Sequence, residues 1–161
     1  MKIVDKVLST IEKLFSILVV TLFVGMIVSL STQVVARYIF NTGFRWTEES
    51  ARYMMVWMIF AGSVLVSKRD AHVSVNALEE YYPKSVAPLK FIQRVITIIY
   101  ASLVMYYGLQ VLRIAAFQTS PNMQIRMNLI YMIYPIAMVF IIVFTLNLLI
   151  RSLAKKKEEK Q

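Results

Sequence analysis

The pattern of hydrophobic and polar positions divides the chain into four long uncharged runs that are separated by short polar segments. A helix needs roughly 20 residues to cross about 30 Å of hydrocarbon. The first and fourth runs reach that length alone, and the other two reach it when a few flanking residues are added. The spans are therefore predicted at about 14–36, 47–67, 91–113 and 127–150, followed by a polar tail at 151–161.

This pattern predicts an all-α integral membrane protein in which residues 1–161 form a single membrane domain. Two of the segments between the spans contain amphipathic sequence. Residues 37–46, RYIFNTGFRW, are aromatic and basic and are expected to lie along a membrane interface. Residues 70–83, DAHVSVNALEEYYP, are compatible with a short interfacial helix.

The start of the second span carries a group of charges. The uncharged run 53–67 is too short to cross a bilayer, so the helix has to begin near Thr47, which is a candidate N-cap. Glu48 and Glu49 then fall in the first turn, where the helix dipole favours carboxylates. Arg52 follows Glu48 by four residues and Glu49 by three, so either acid could pair with it on one helix face.

Three interpretations of that group are open from the residues alone. Intramembrane carboxylates are often proton or substrate sites, which would make Glu48 or Glu49 a coupling residue. The group could instead be a docking surface for another protein, or a self-paired and half-hydrated helix start. Its position at the edge of the span, rather than at the centre, favours the last two interpretations over proton coupling.

Composition narrows the classes of function. Hydrophobic residues make up 58% of the chain and charged residues 17%, a combination that soluble domains rarely show. The chain has no cysteine and a single histidine, His72, so thiolate, histidine–metal and haem sites are not expected. No nucleophile–base pair or phosphate-binding loop can be recognised, and we expect neither an enzyme nor a bound cofactor.

The net charge of +9 is better explained by orientation in a membrane than by nucleic acid binding. Basic residues are concentrated before the first span, between the second and third spans, and in the tail. The two remaining connecting regions hold Arg37, Arg45, Arg52 and Arg126. The positive-inside rule therefore predicts that both termini are cytoplasmic and that Glu48 and Glu49 face the outer side. Lipids with anionic headgroups are expected partners of the basic segments.

Four motifs, in a fixed order along the chain, carry a family resemblance. They are FRWTEESARYMMVW (44–57), AGSVLVS (61–67), RDAHVSVNALEEYYP (69–83) and SPNMQIRMNLIYMIYP (120–135). Together they resemble the small membrane subunit of the tripartite ATP-independent periplasmic (TRAP) transporters. The resemblance extends over the whole chain, including its length, its four spans and the sizes of its loops.

The resemblance implies a division of labour among three proteins. A periplasmic substrate-binding protein captures an organic anion, such as a sialic acid or a C4-dicarboxylate, and delivers it to a pair of membrane subunits. The large multi-span subunit carries the substrate and sodium sites and moves like an elevator, whereas the small subunit is a fixed scaffold beside it. The chain is accordingly expected in the bacterial inner membrane as a non-catalytic part of a sodium-coupled symporter.

The resemblance also favours one interpretation of the charged group. The outer-side cluster that would order the outer loop and contact the partners comprises Arg37, Arg45, Trp46, Glu48, Glu49 and Arg52. Trp57 and His72 are expected at the membrane interfaces. The alternative function, from a different class, is a self-sufficient proton-coupled homodimeric transporter that uses Glu48 or Glu49.

Overall fold

The computed structural model describes residues 2–68 and 86–158. Within these ranges the chain is built from helices, which are α1 (Lys2–Ile39), α2 (Arg45–Lys68), α3 (Val86–Ala115), α4 (Met127–Tyr131) and α5 (Ile133–Glu158). The interfacial helix predicted at 70–83, and with it His72, lies outside the described residues.

Four helical segments are long and apolar enough to cross a membrane. They are Lys6–Ile39, Arg45–Lys68, Pro88–Ala115 and Met127–Leu153. The prediction of an all-α protein with four spans is therefore confirmed. Many aliphatic side chains point outwards, including Ile17 and Val20 on α1 and Ile99 on α3. Such an apolar surface is expected to contact lipid acyl chains rather than water.

The start of α2 differs from the prediction, and the assignment of Thr47 as the N-cap is wrong. The helix begins at Arg45, so Thr47 lies in its first turn, where it is fully buried. Its hydroxyl donates to the Phe44 carbonyl at 2.6 Å instead of accepting a hydrogen bond from a helix N–H. The earlier start gives α2 a length of 24 residues, which is enough to cross the hydrocarbon.

The centre of the molecule is formed by α2 and α5. α1 packs against α2, α2 against α5, and α5 against α3. The buried core consists of Leu8, Phe15, Ala61, Val64, Ala101, Ala137, Met138, Ile141 and Phe144. The three alanines lie on α2, α3 and α5 and allow close approach of the backbones. Van der Waals contact of this kind is the main source of packing energy between helices in lipid.

Polar contacts join α1 and α2 at both ends of α2. Near its start, the hydroxyls of Ser29 and Ser50 are 3.0 Å apart and buried. At its other end, Lys68 forms an ion pair with Glu12. The end of the molecule that contains the first turns of α2 is called the Glu49 end from here on. The opposite end is called the Lys68 end.

The fourth span is not one continuous helix, because Met132 separates α4 from α5. Pro135 has no N–H to offer the carbonyl of Tyr131, four residues earlier, and its ring crowds that carbonyl. The break thus lies one turn before the proline. The indole N–H of Trp57, on α2, donates to the Ile130 carbonyl at 3.0 Å, so a neighbouring helix supplies a hydrogen bond beside the break.

Candidate interaction site at the Glu49 end

The loop between α3 and α4 (116–126) folds back on itself at the Glu49 end. The backbone N–H of Ser120 donates to the Ile125 carbonyl at 2.8 Å, and that of Met127 donates to the Gln118 carbonyl at 2.9 Å. These bonds pair the two arms of the loop in the manner of a hairpin. The turn between the arms presents two backbone N–H groups towards α2.

Glu49 ties this loop to α2. Its Oε2 accepts hydrogen bonds from the backbone N–H groups of Asn122 and Met123, both at 3.0 Å. Its Oε1 accepts a hydrogen bond from the Tyr53 hydroxyl at 2.6 Å. The residue is only 6% exposed, so these three donors replace much of the water that the carboxylate would otherwise bind. Hydrogen bonds to an ionised carboxylate are about twice as strong as neutral ones.

Glu48 and Arg52 form a separate, exposed pair. The Arg52 Nη2 lies 3.8 Å from the Glu48 Oε1, one helical turn away. The two side chains are 70% and 64% exposed, so the pair is solvated and adds little to stability. The sequence allows either acid to pair with Arg52. In the structure Glu48 takes that place, and Glu49 turns to the loop instead.

A cleft of about 670 Å³ lies beside this group, between α2 and the fourth span. Its charged wall consists of Arg45, Glu48, Glu49 and Arg52. Tyrosines contribute most of the aromatic surface, namely Tyr53, Tyr131 and Tyr134. Among the described residues, no three histidine or acidic side chains come together as metal ligands. The cleft is thus amphipathic, with both signs of charge at its mouth and apolar surface below.

The cleft gathers part of the cluster that the sequence predicts. Arg37 and Trp46 do not line it. Arg37 is exposed in the last turn of α1, and Trp46 is 47% exposed beside Phe44, with ring centroids 6.4 Å apart. Trp57, which is expected at an interface, lies halfway along α2 and binds the fourth span.

Sequence reasoning did not find the partners of Glu49. Tyr53 follows Glu49 by four residues, a spacing that places both on one helix face and could have identified the pair. The loop amides carry no such signal, because Asn122 is 73 residues from Glu49 and contributes only its backbone. The loop that Glu49 holds in the structure is the one between α3 and α4.

Comparison with known proteins finds a family that matches this chain. A family model described as the DctQ component of the tripartite ATP-independent periplasmic transporters matches residues 26–155, which include the cleft. Two proteins of Haemophilus influenzae named as TRAP transporter small permease proteins are also similar. One is 40% identical over 83 residues, which cover 51% of this chain and 52% of that protein. The other is 28% identical over 145 residues, which cover 88% of each chain.

A third relative is the sialic acid TRAP transporter small permease protein SiaQ of Vibrio cholerae. It is 27% identical over 84 residues, which cover 52% of this chain and 47% of SiaQ. The matches to SiaQ and to the first Haemophilus protein thus span about half the length of those relatives.

Proposed function

Because the chain belongs to the DctQ family of TRAP transporter components, we propose that it is the non-catalytic scaffold of a sodium-coupled, binding-protein-dependent importer of an organic anion. Its partners are a large multi-span membrane subunit, which moves the substrate, and a periplasmic substrate-binding protein, which delivers it. The complex lies in the bacterial inner membrane. The Glu49 end faces the periplasm and both termini face the cytoplasm.

The observation that carries the scaffold role is the burial of Glu49 and its three hydrogen bonds. A coupling carboxylate has to exchange protons or ions with water during each cycle, but Glu49 is buried and is held by Tyr53 and two loop amides. These hydrogen bonds hold the α3–α4 loop against α2, as expected for a subunit that does not move during transport.

The interior of the described helices supports the same conclusion. Between the Glu49 end and the Lys68 end, the contact of α2 with α5 is made by apolar residues such as Ala61, Val64, Ala137 and Phe144. Carriers need polar groups along the route of a charged substrate. The described residues offer no such route along α2 and α5, so we assign the transport path to the large subunit.

The substrate class is proposed from the family resemblance and not from the cleft. SiaQ is by name part of a sialic acid transporter. A sialic acid and a C4-dicarboxylate are therefore the two substrates to test first.

Reconstitution tests this function. The chain, a candidate large membrane subunit and a candidate binding protein are combined in proteoliposomes with an inward sodium gradient, and uptake of radiolabelled sialic acid and succinate is measured. We expect uptake of one anion that requires all three proteins and the sodium gradient. Uptake by this chain alone, abolished by Glu48→Gln or Glu49→Gln, would instead establish the proton-coupled homodimer.

A further inference from the structure

A second hollow continues the cleft towards the Lys68 end. It has a volume of about 730 Å³ and is walled by α2, α5 and α3, with Ile59, Met138 and Tyr100 among its lining residues. The two hollows adjoin, because the Phe60 ring of the second contacts the Tyr134 ring of the first, with centroids 4.5 Å apart.

The two hollows lie on the same face of each helix. The residues of α2 that line them follow one another at helical spacing, as Arg45, Glu49, Arg52, Val56, Ile59, Ser63 and Ser67. The fourth span contributes Met127, Ile130, Tyr134, Met138 and Ile141 at the same spacing. Steps of three and four residues keep side chains on one helix face. The two hollows therefore follow one face of α2 and of the fourth span, and α3 adds a further wall nearer the Lys68 end. This surface is called here the α2–α5 groove.

We propose that the α2–α5 groove holds a transmembrane helix of the large membrane subunit. This inference rests on the proposed function, which requires such a subunit. The groove runs from Arg45 to Ser67, a helical rise of about 33 Å. That length matches the full hydrocarbon thickness of about 30 Å, whereas the acyl chain of one lipid covers only one leaflet.

Small side chains make room for a second backbone. Gly62 and Ser63 line the groove, and a Cβ atom added to Gly62 would meet no atom within 4 Å. Small residues at such a face let helices in lipid approach closely. Beside them, the exposed Ile59 and Val66 offer aliphatic surface for the contact.

The polarity of the groove also matches a spanning helix. Arg45, Glu48 and Arg52 place both signs of charge at its mouth, at the depth where a membrane helix emerges among headgroups. Nearer the Lys68 end, Ile59, Val66 and other apolar residues dominate the lining. A helix with a polar end and an apolar body would match this change from charged to apolar lining along the groove.

Site-directed photo-crosslinking tests the groove. The chain has no cysteine, so Ile59→Cys carries a benzophenone maleimide at one site only. Val143→Cys is the matched control, since Val143 is 42% exposed, Ile59 is 51% exposed, and Val143 lines neither hollow. Each variant is purified with the large subunit and irradiated. We expect the Ile59 variant to crosslink to the large subunit about tenfold more than the control, as a direct contact requires.

A filling substitution gives an independent measurement. Ser63→Trp should lower recovery of the large subunit with this chain by about tenfold, whereas Val143→Trp should not. Crosslinks from Ile59 only to lipid or to a second copy of this chain, in a sample that contains the large subunit, would overturn the groove but leave the scaffold function standing. If the unsubstituted chain recovers no large subunit at all, the scaffold function itself fails.

Discussion

Two adjacent acids in one turn of α2 have opposite environments. Glu48 points into solvent and meets Arg52 at 3.8 Å, while Glu49 is buried beneath the α3–α4 loop. The difference arises because consecutive residues on a helix point about 100° apart. That rotation turns one carboxylate to water and the other towards two backbone amides.

The two acids should therefore respond differently to neutralisation. In Glu49→Gln, one carboxylate oxygen is replaced by an NH2 group, which cannot accept, and the bonds that Asn122, Met123 or Tyr53 can still donate go to a neutral oxygen. A hydrogen bond to a charged group contributes about 1.5–3 kcal/mol. Amide hydrogen exchange in the loop, followed by mass spectrometry, should accelerate roughly 10- to 100-fold.

Glu48→Gln is the control for that experiment, because it removes the same charge one residue away. Its exposed pair with Arg52 is worth little, so exchange in the loop should stay within about twofold of the unsubstituted chain. Equal acceleration in both variants would mean that net charge, and not the hydrogen bonds of Glu49, holds the loop.

The same residues show what a sequence can and cannot predict. Spacing placed Glu48, Glu49 and Arg52 within reach of one another, since local geometry in a helix is fixed. It could not decide which acid takes the arginine, because that depends on the loop that arrives from 73 residues away. Nor could it reveal partners that act through the backbone, since an N–H group is the same in every residue except proline.

Among the helices, hydropathy predicted the number of spans well, because each must cover the same thickness of lipid. The interruption of the fourth span was harder to predict. Pro135 indicates a disturbance, but its effect appears one turn earlier, at Met132, and Trp57 of α2 supplies a hydrogen bond beside it. The break is thus a joint property of two helices that are distant in sequence.

The hydrogen bond from Trp57 to Ile130 predicts that removing the indole N–H lowers the stability of the protein. Trp57→Phe keeps an aromatic ring but leaves the Ile130 carbonyl without that donor. We expect the free energy of unfolding, measured by titration with sodium dodecyl sulfate and circular dichroism, to fall by about 1 kcal/mol. The matched control is Trp46→Phe at the exposed start of α2, where the change should stay within about 0.5 kcal/mol.

A loss of similar size in both variants would contradict the role of the Trp57 hydrogen bond. These are the two tryptophans of the chain. Because Trp46 is exposed and Trp57 is half-buried and donates to Ile130, the difference between the variants reports the hydrogen bond together with the packing of the indole.

For the molecule as a whole, orientation decides whether the Glu49 end can serve a periplasmic partner. The loops at that end carry exposed aromatic residues, with Phe40 66% and Phe117 92% exposed. Lys155, Lys156 and Lys157 lie in the last turns of α5, at the opposite end. Moving lysines across a membrane is unfavourable, so the tail should stay in the cytoplasm and the aromatic loops should face the periplasm.

Cysteine labelling measures this orientation directly, because the natural chain offers no thiol. Phe40→Cys and Phe117→Cys should react with a membrane-impermeant maleimide in cells whose outer membrane has been permeabilised. Ser152→Cys should react only after the inner membrane is broken. The opposite pattern would place the cleft in the cytoplasm, where no periplasmic protein could reach it, and the proposed delivery of substrate at the Glu49 end would have to be abandoned.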